Sequence, residues 1–343
     1  MKKILLSFVA LFATTILSAQ PQFATLEHNG NLTAYYGFNA FGEAHSAAVH
    51  GDIITLSPGV FNIVNISKAI TLRGVGYELD SVAGTEATQF IGGVIVLDVP
   101  NADTIVFSAE GIDFAHQSIN IRQCYSSVFK KCRFTNIGRD GSQTMQNATF
   151  INCNINRLEI GNNFRNCQFI NTIINEVPEL YSSLVNNNSF INSIVKLKYP
   201  NFSHTNNMIN CVLININGAC NRILNDIRVS LVNSVHNCIG VQQHVGCSYQ
   251  GSFFGVSTET ASSHSLYNYI NESDVFKPNT TYELIDSIAA THLGTDGTQI
   301  GIYGGAYPFS SSVRHPLLGK VSPAQQTRAD GKLEVEVELT PAN

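Results

Sequence analysis

The sequence contains no tryptophan, and charged residues make up only 13% of its 343 residues, about half of the usual share. It has no block of Lys or Arg and its formal net charge is −5, so a nucleic-acid partner is not expected. Beyond residue 17, no apolar run is long enough to span a bilayer. Asparagine takes the place of the missing charges, with 35 residues. A chain of this length suits one elongated repeat domain better than one compact domain.

The N-terminus has the composition of a secretory leader. Met1-Lys2-Lys3 precedes an apolar run at 4–17 and the small residues Ser18 and Ala19. This order predicts a cleaved signal peptide, residues 1–19, and therefore a secreted, periplasmic or cell-surface protein with no later membrane span. A retained N-terminal anchor is the alternative. The first cysteine is Cys124, so a lipid-modified N-terminus is not expected.

A hexapeptide pattern with Cys or Ser at its fourth position recurs through the middle of the chain. The fourth residues are separated by 21, 14, 26, 18 and 23 residues, and a weaker copy, 109-AEGIDF-114, precedes them. A recurring spacing near 20 residues indicates a repeat architecture. The six copies are 129-FKKCRF-134, 150-FINCNI-155, 164-FRNCQF-169, 190-FINSIV-195, 208-MINCVL-213 and 231-LVNSVH-236.

The third position of the pattern is predicted to be a corner. Apolar or small residues occupy positions 1, 4 and 6, which is one residue out of step with the alternation of a strand. An extra residue in the left-handed conformation would restore the inward face, and Asn tolerates that conformation best among non-glycine residues. The corner residues are Asn152, Asn166, Asn192, Asn210 and Asn233.

A corner repeated in this way predicts an all-β fold, a parallel β-solenoid whose like residues form ladders with a spacing of about 4.8 Å. Roughly 10 or 11 coils are expected between about residues 52 and 269. A short helix within 39–50 would cover the N-terminal end, and residues 271–305 would close the other end. The solenoid domain, 20–305, is followed by a predicted linker, 306–331, and a C-terminal strand, 332–343, in which Leu or Val alternates with Glu.

Two segments resemble a known family. Residues 48–76, AVHGDIITLSPGVFNIVNISKAITLRGVG, resemble the opening coils of the pectin-lyase-like right-handed parallel β-helix superfamily. The segment 294-GTDGTQIGIYGG-305 resembles the closing segment of many secreted bacterial members. The resemblance covers roughly residues 40–305 and implies the right-handed β-helix fold. It implies no single activity, because the superfamily includes lyases, hydrolases, epimerases and non-catalytic binding proteins.

Carbohydrate-cleaving members of that superfamily use clustered acidic residues, either to hold Ca²⁺ beside a basic residue or as an acid and base pair. The best outward group here is Asp113, His116 and Arg122, with Arg133 aligned one coil later. Asp113, His116 and Arg133 are therefore the candidate catalytic residues. A solvated ion pair between Asp113 and Arg133 is the simpler interpretation. Asp296 is the candidate metal ligand, although turn chemistry also explains it. No cofactor is expected, apart from Ca²⁺ if the chain is a lyase.

Eight cysteines in a secreted chain first suggest four disulfides. The repeat instead places Cys132, Cys153 and Cys167 in one column of consecutive coils, with Cys211 further along it. Parallel side chains in such a column leave the Cβ atoms about 4.8 Å apart, beyond the separation that disulfides prefer. The prediction is a buried stack of free thiols.

Two functions fit these observations. The first is a secreted, non-catalytic β-helix that binds polysaccharide or other envelope proteins, favoured by the missing acid cluster and the uniform Asn-rich coils. The alternative is a polysaccharide lyase or glycoside hydrolase acting on acidic polysaccharide, which rests on the resemblance and the leader. Three or more convergent charged residues on one sheet would favour the enzyme.

Overall fold

The structure is a computed structural model. It describes residues 22–78, 86–92, 95–99, 106–138, 144–159, 163–178, 187–197, 206–215, 229–232, 235–236, 248–250, 253–254, 275–278, 281–291, 293–311, 317–323 and 335–340. The predicted signal peptide and Asn233 lie outside these ranges, as do Cys220, Cys238 and Cys247. Within them, neither helix is both long and apolar enough to cross a membrane.

A hairpin and a helix cover the N-terminal end. Strands β1 (Phe23–His28) and β2 (Asn31–Tyr36) are antiparallel, and β1 also pairs antiparallel with β3 (Ile53–Leu56). Helix α1 (Ala40–Ala47) buries Ala40, Phe41 and Ala44 in the core. The predicted capping helix is therefore confirmed.

Short strands follow one another from residue 59 to residue 254. They are β4 (Gly59–Asn62), β5 (Thr71–Arg73), β6 (Thr88–Ile91), β7 (Ile95–Asp98), β8 (Ser108–Glu110), β9 (Asp113–Tyr125), β10 (Val128–Lys130), β11 (Arg133–Ile137), β12 (Thr144–Gln146), β13 (Thr149–Ile151), β14 (Asn154–Leu158) and β15 (Asn163–Arg165). They continue with β16 (Gln168–Ile170), β17 (Ile173–Val177), β18 (Ser189–Ile191), β19 (Ile194–Leu197), β20 (Asn206–Ile209), β21 (Val212–Asn215), β22 (Val229–Val232), β23 (Val235–His236), β24 (Ser248–Gln250) and β25 (Phe253–Phe254). The chain ends with α2 (Asp286–Thr291), β26 (Leu317–Pro323) and β27 (Val335–Thr340).

The strands stack into three faces of a parallel β-solenoid, so the predicted fold class is confirmed. Face 1 consists of β3, β5, β8, β10, β13, β16, β18, β20, β22 and β24. Face 2 consists of β4, β6, the first part of β9, β11, β14, β17, β19, β21, β23 and β25. Face 3 consists, in the described ranges, of β7, the last part of β9, β12 and β15. Each coil runs from face 1 through face 2 to face 3.

Between residues 111 and 210, two described corners recur with left-handed backbone, as the motif predicts for asparagine. The first corner joins face 1 to face 2, with φ between 47° and 68° at Gly111, Lys131, Asn152, Asn171, Asn192 and Asn210. The second corner joins face 3 to face 1, with φ between 53° and 61° at Ser126, Asn147, Asn166 and Asn187. The Cβ-bearing residues in this conformation are mostly asparagines, as steric preference dictates.

The prediction of a single corner column is wrong for Asn166 and Cys167. Phe169, not Phe164, aligns with Phe150, so Asn166 and Cys167 belong to the second corner. Their places in the first column are taken by Asn171 and Thr172, the second and third residues after Phe169. The corrected column is Ile112, Cys132, Cys153, Thr172, Ser193 and Cys211, with steps of 20, 21, 19, 21 and 18 residues. The irregular steps of 14 and 26 came from mixing two corners.

A stack of phenylalanines fills the core beneath face 1. Phe129, Phe150, Phe169 and Phe190 have ring centroids 4.8 to 4.9 Å apart and interplanar angles of 7° to 10°. This spacing is the separation of neighbouring strands, so the rings of neighbouring coils pack against one another. The same position is Ala109 one coil earlier and Met208 one coil later, so the stack helps to hold the register of the four coils in between.

Residues 293–309, the C-terminal strap, lie along the first corner and do not close the far end as expected. Thr295 N–H donates to Asn210 Oδ1 at 3.0 Å, and Asn171 Nδ2 donates to the carbonyls of Ile302 and Gly304, both at 2.7 Å. Asn152 Nδ2 donates to Pro308 O at 3.4 Å. The strap thus runs back across the coils that contain these asparagines. The expected amide-to-amide ladder is replaced here by contacts from amide to strap backbone.

A terminal hairpin forms from β26 and β27, which are antiparallel. β27 lies within the predicted terminal strand, 332–343. The segment 306–331 was predicted as a linker without regular structure, but β26 lies inside it. A local sequence pattern could not predict β26, because this strand is identified by its pairing with β27 further along the chain.

Candidate functional site

In the face 2 strands, the first residue whose side chain points away from the core is polar in the earlier coils and apolar in the later ones. The polar part is Asp113, Arg133 and Asn154 in register, followed by the apolar part, Ile173, Ile194 and Val212. The apolar part is covered by residues of the C-terminal region, namely Val275, Phe276, Leu284, Ile300 and Ile302. Among the described side chains of this column, the polar part is therefore the one left for a site.

Asp113 and Arg133 form an ion pair, but it is not the solvated pair that was expected. Arg133 Nε donates to Asp113 Oδ1 at 3.0 Å, Nη2 donates to Oδ2, and Gln89 Nε2 also donates to Oδ2 at 3.2 Å. Asp113 is 0% exposed, and the guanidinium lies over the ring of the buried Tyr77. Hydrogen bonding to Asp113 raises the pKa of Arg133. A carboxylate without exposed surface cannot contact a polysaccharide, so Asp113 has a structural role.

His116 lies in a bulge of β9, where residues 115–117 stand opposite the single residue Thr135 of β11. The side chains of His116 and Arg122 lie outside what the structure describes. Of the three candidate catalytic residues, the structure therefore brings together Asp113 and Arg133.

From Cys132 to Cys211, the first-corner column is a ladder of small hydrogen-bond donors. Cys153 Sγ donates to Phe129 O at 3.4 Å, one coil away, and Ser193 Oγ donates to Phe169 O at 3.1 Å in the same way. Thr172 Oγ1 donates to Phe150 O at 3.3 Å and accepts from Cys153 N–H at 3.4 Å. The column therefore selects a small side chain with a donor, which explains why Cys, Ser and Thr exchange there.

The described cysteines are buried, and none of them is part of a disulfide bond. They are Cys124, Cys132, Cys153, Cys167 and Cys211. Burial raises the pKa of Cys124, Cys167 and Cys211 to about 12, and burial likewise raises the pKa of Cys132 well above its usual value. A buried thiol that stays protonated at neutral pH is a poor nucleophile.

Asp296 shapes a turn of the strap. Its Oδ1 accepts hydrogen bonds from Thr298 N–H at 3.0 Å and Thr298 Oγ1 at 2.7 Å. Desolvation opposes the shift, but these hydrogen bonds lower the pKa of Asp296. Across the described ranges, no three His, Cys, Asp or Glu residues gather as a metal site would require. The observed contacts of Asp296 are those of an Asx turn.

A polar patch on face 2 was missed by the sequence analysis. Arg157 Nε donates to Glu159 Oε1 at 2.6 Å, and Arg157 Nη1 donates to Glu176 Oε1 of the next coil at 2.7 Å. The three side chains are 34%, 28% and 25% exposed. Both carboxylates therefore remain open to solvent, unlike the buried carboxylate of Asp113.

Two asparagines and a tyrosine extend the patch. Asn175 Nδ2 donates to Asn154 Oδ1 at 3.2 Å, and Tyr282 O–H donates to Asn175 Oδ1 at 3.1 Å. The ammonium of Lys196 lies 4.9 Å from the centroid of the Tyr282 ring. We define the face 2 patch as Asn154, Arg157, Glu159, Asn175, Glu176, Lys196 and Tyr282. A signal for part of it was available, since Arg157 and Glu176 are 19 residues apart, one coil of the corrected period.

Comparison with protein-family models, curated proteins and solved structures gives no match to this chain. The class that the geometry defines is a parallel β-solenoid with a strap along one corner.

Proposed function

We propose that the chain is a secreted, non-catalytic member of the pectin-lyase-like superfamily that binds polysaccharide outside the cytoplasm, through the face 2 patch, which we call the glycan patch from here on. The observation that carries this proposal is the pairing of Glu159 and Glu176 with the single guanidinium of Arg157. A general acid must hold a proton, whereas an ion pair with Arg requires an ionised carboxylate. The pairing therefore supports binding rather than acid catalysis.

The alternative is a polysaccharide lyase or glycoside hydrolase. It is favoured by the convergence of Arg157, Glu159 and Glu176, since three charged groups on one sheet meet the criterion for an enzyme. Hydrolases need two carboxylates across the scissile bond, and two are present. Against this reading, both carboxylates are already bound to the same cation.

Incubation of the secreted protein with a panel of neutral and acidic polysaccharides tests the proposal. We expect retention of at least one polysaccharide with no new reducing ends and no unsaturated products, with or without Ca²⁺. Arg157→Ala should abolish retention, whereas Arg73→Ala, the same change at an exposed position of face 1, should not. Product formation would establish the alternative, and no retention of any polysaccharide would refute both.

A further inference from the structure

Tyr282 has an unusual backbone conformation. Its φ is 59°, in the left-handed region where a bulky residue is an outlier. Such strain persists only where the surroundings over-determine it, and it is concentrated at functional sites. Three contacts fix the side chain: the Phe276 ring at 5.4 Å and 80°, the Lys196 ammonium on the ring face, and the hydrogen bond to Asn175.

The tyrosine hydroxyl orients a chain of amides across two coils. Tyr282 O–H donates to Asn175 Oδ1, so the Nδ2 of the same amide faces the opposite way, towards Asn154 Oδ1. The Asn175 amide is thereby held in one orientation, and the next residue, Glu176, pairs with Arg157. Donors and acceptors from two coils thus lie side by side in fixed positions.

The charges of the patch balance. Arg157 and Lys196 oppose Glu159 and Glu176, so the local net charge is zero. Arg157 binds both carboxylates, and Lys196 lies on an aromatic ring. A uronate would need a cation to offset its desolvation and would meet two carboxylates instead. A sugar hydroxyl both donates and accepts, so it suits carboxylate oxygens beside amides.

We propose that the ligand of the glycan patch is a neutral, hydroxyl-rich polysaccharide and that Tyr282 is a positioning residue for it. This inference rests on the proposed function and specifies its ligand class. Tyr282 acts through Asn175, whose amide it orients.

Affinity measurements on the full secreted chain test separately whether it binds polysaccharide at all and whether the polysaccharide it binds is neutral. The probes are a mixed-linkage glucan, a xylan and a mannan as neutral polymers, and polygalacturonate and alginate as acidic ones. We expect binding to a neutral polymer that hardly changes between low and high salt. Binding to acidic polymers alone would overturn this inference but leave the proposed function standing. Binding to none would overturn the proposed function itself.

Variants test the two physical arguments. Tyr282→Phe keeps the ring and removes the hydroxyl, which should weaken binding about 2- to 10-fold. Tyr303→Phe is the matched control, because its hydroxyl donates to Thr281 O at 2.8 Å outside the patch, and its affinity should not change. Melting temperatures of both variants are measured together with affinity. Equal affinity losses in the two variants, or a Tyr282→Phe loss that vanishes when only folded protein is counted, would overturn the positioning role.

The charge argument has its own variant. Replacing Glu159 and Glu176 together by Gln releases Arg157 from both partners and gives the patch a net positive charge. This double variant should acquire salt-sensitive binding to polygalacturonate. If it does not bind polygalacturonate, paired charges are not what excludes acidic polymers.

Discussion

Asn171→Ala is the substitution that tests the attachment of the strap most sharply. The side chain is fully buried, and its Nδ2 donates to two strap carbonyls at 2.7 Å. Losing both bonds costs about 2 kcal/mol, at about 1 kcal/mol each. Placing Ala at φ 47° costs about 1 kcal/mol more. Removal of Asn171 Oδ1, which is buried without a partner among the described residues, returns about 1 kcal/mol. The free energy of unfolding should therefore fall by about 2 kcal/mol.

Asn166 is the matched control for Asn171. It has nearly the same φ, 53°, but lies at the exposed second corner, where, among the described residues, its Nδ2 donates to Asn147 Oδ1 at 3.3 Å. Asn166→Ala should cost about 1 kcal/mol, the conformational part alone. Urea unfolding gives both losses, and hydrogen exchange of the Gly301 amide, which donates to Asn210 O at 2.8 Å, reports on the strap. Equal losses, with unchanged exchange at Gly301 in both variants, would refute the role of the strap contacts.

Three further perturbations follow from the described contacts. Thr172→Val should cost about 1–3 kcal/mol in urea unfolding because it leaves the Cys153 N–H unpaired, whereas a similar loss for Thr172→Ser would contradict the donor ladder. Asp113→Asn removes the buried carboxylate of an ion pair and should lower the free energy of unfolding by about 3–5 kcal/mol. Glu159→Gln, in a more exposed ion pair, should lower it by at most about 1 kcal/mol. Equal losses in the two variants would contradict the difference in burial. Burial, with a smaller contribution from Lys68, lowers the pKa of His45 to about 4, so its stabilising contribution is complete above pH 6.5 and lost as pH falls towards 4. The melting temperature should therefore fall more steeply over that range than in His45→Gln, and parallel curves would refute the assignment.

The corners could be predicted because left-handed asparagine is a local property. Asn152 has φ 54°, as its position in the motif required. The register could not be obtained by aligning cysteines, because the column selects a donor of small size and not sulfur itself. The triplet FIN, which begins at 150, 169 and 190, carried the correct register, and Thr172 directly follows its second copy. Asn29-Gly30 likewise signalled the unpredicted N-terminal hairpin.

The candidate site was less predictable because its parts come together over long sequence separations. Asp113 and Arg133 were paired correctly from a period of 20, but their burial depends on Tyr77, which comes from an earlier coil. The segment 294-GTDGTQIGIYGG-305 shows its turns locally, whereas its contact with Asn171 spans 131 residues. The glycan patch depends on Tyr282 in the same way, since 107 residues separate it from Asn175.

Calorimetric titration of the protein with a neutral oligosaccharide from a bound polymer, followed by chromatography of the same sample, tests the central claim most directly. The account predicts a binding heat that Arg157→Ala removes and Arg73→Ala leaves in place, with the sugar recovered intact. Shortened sugar in the recovered sample, or a binding heat that persists in Arg157→Ala, would contradict it.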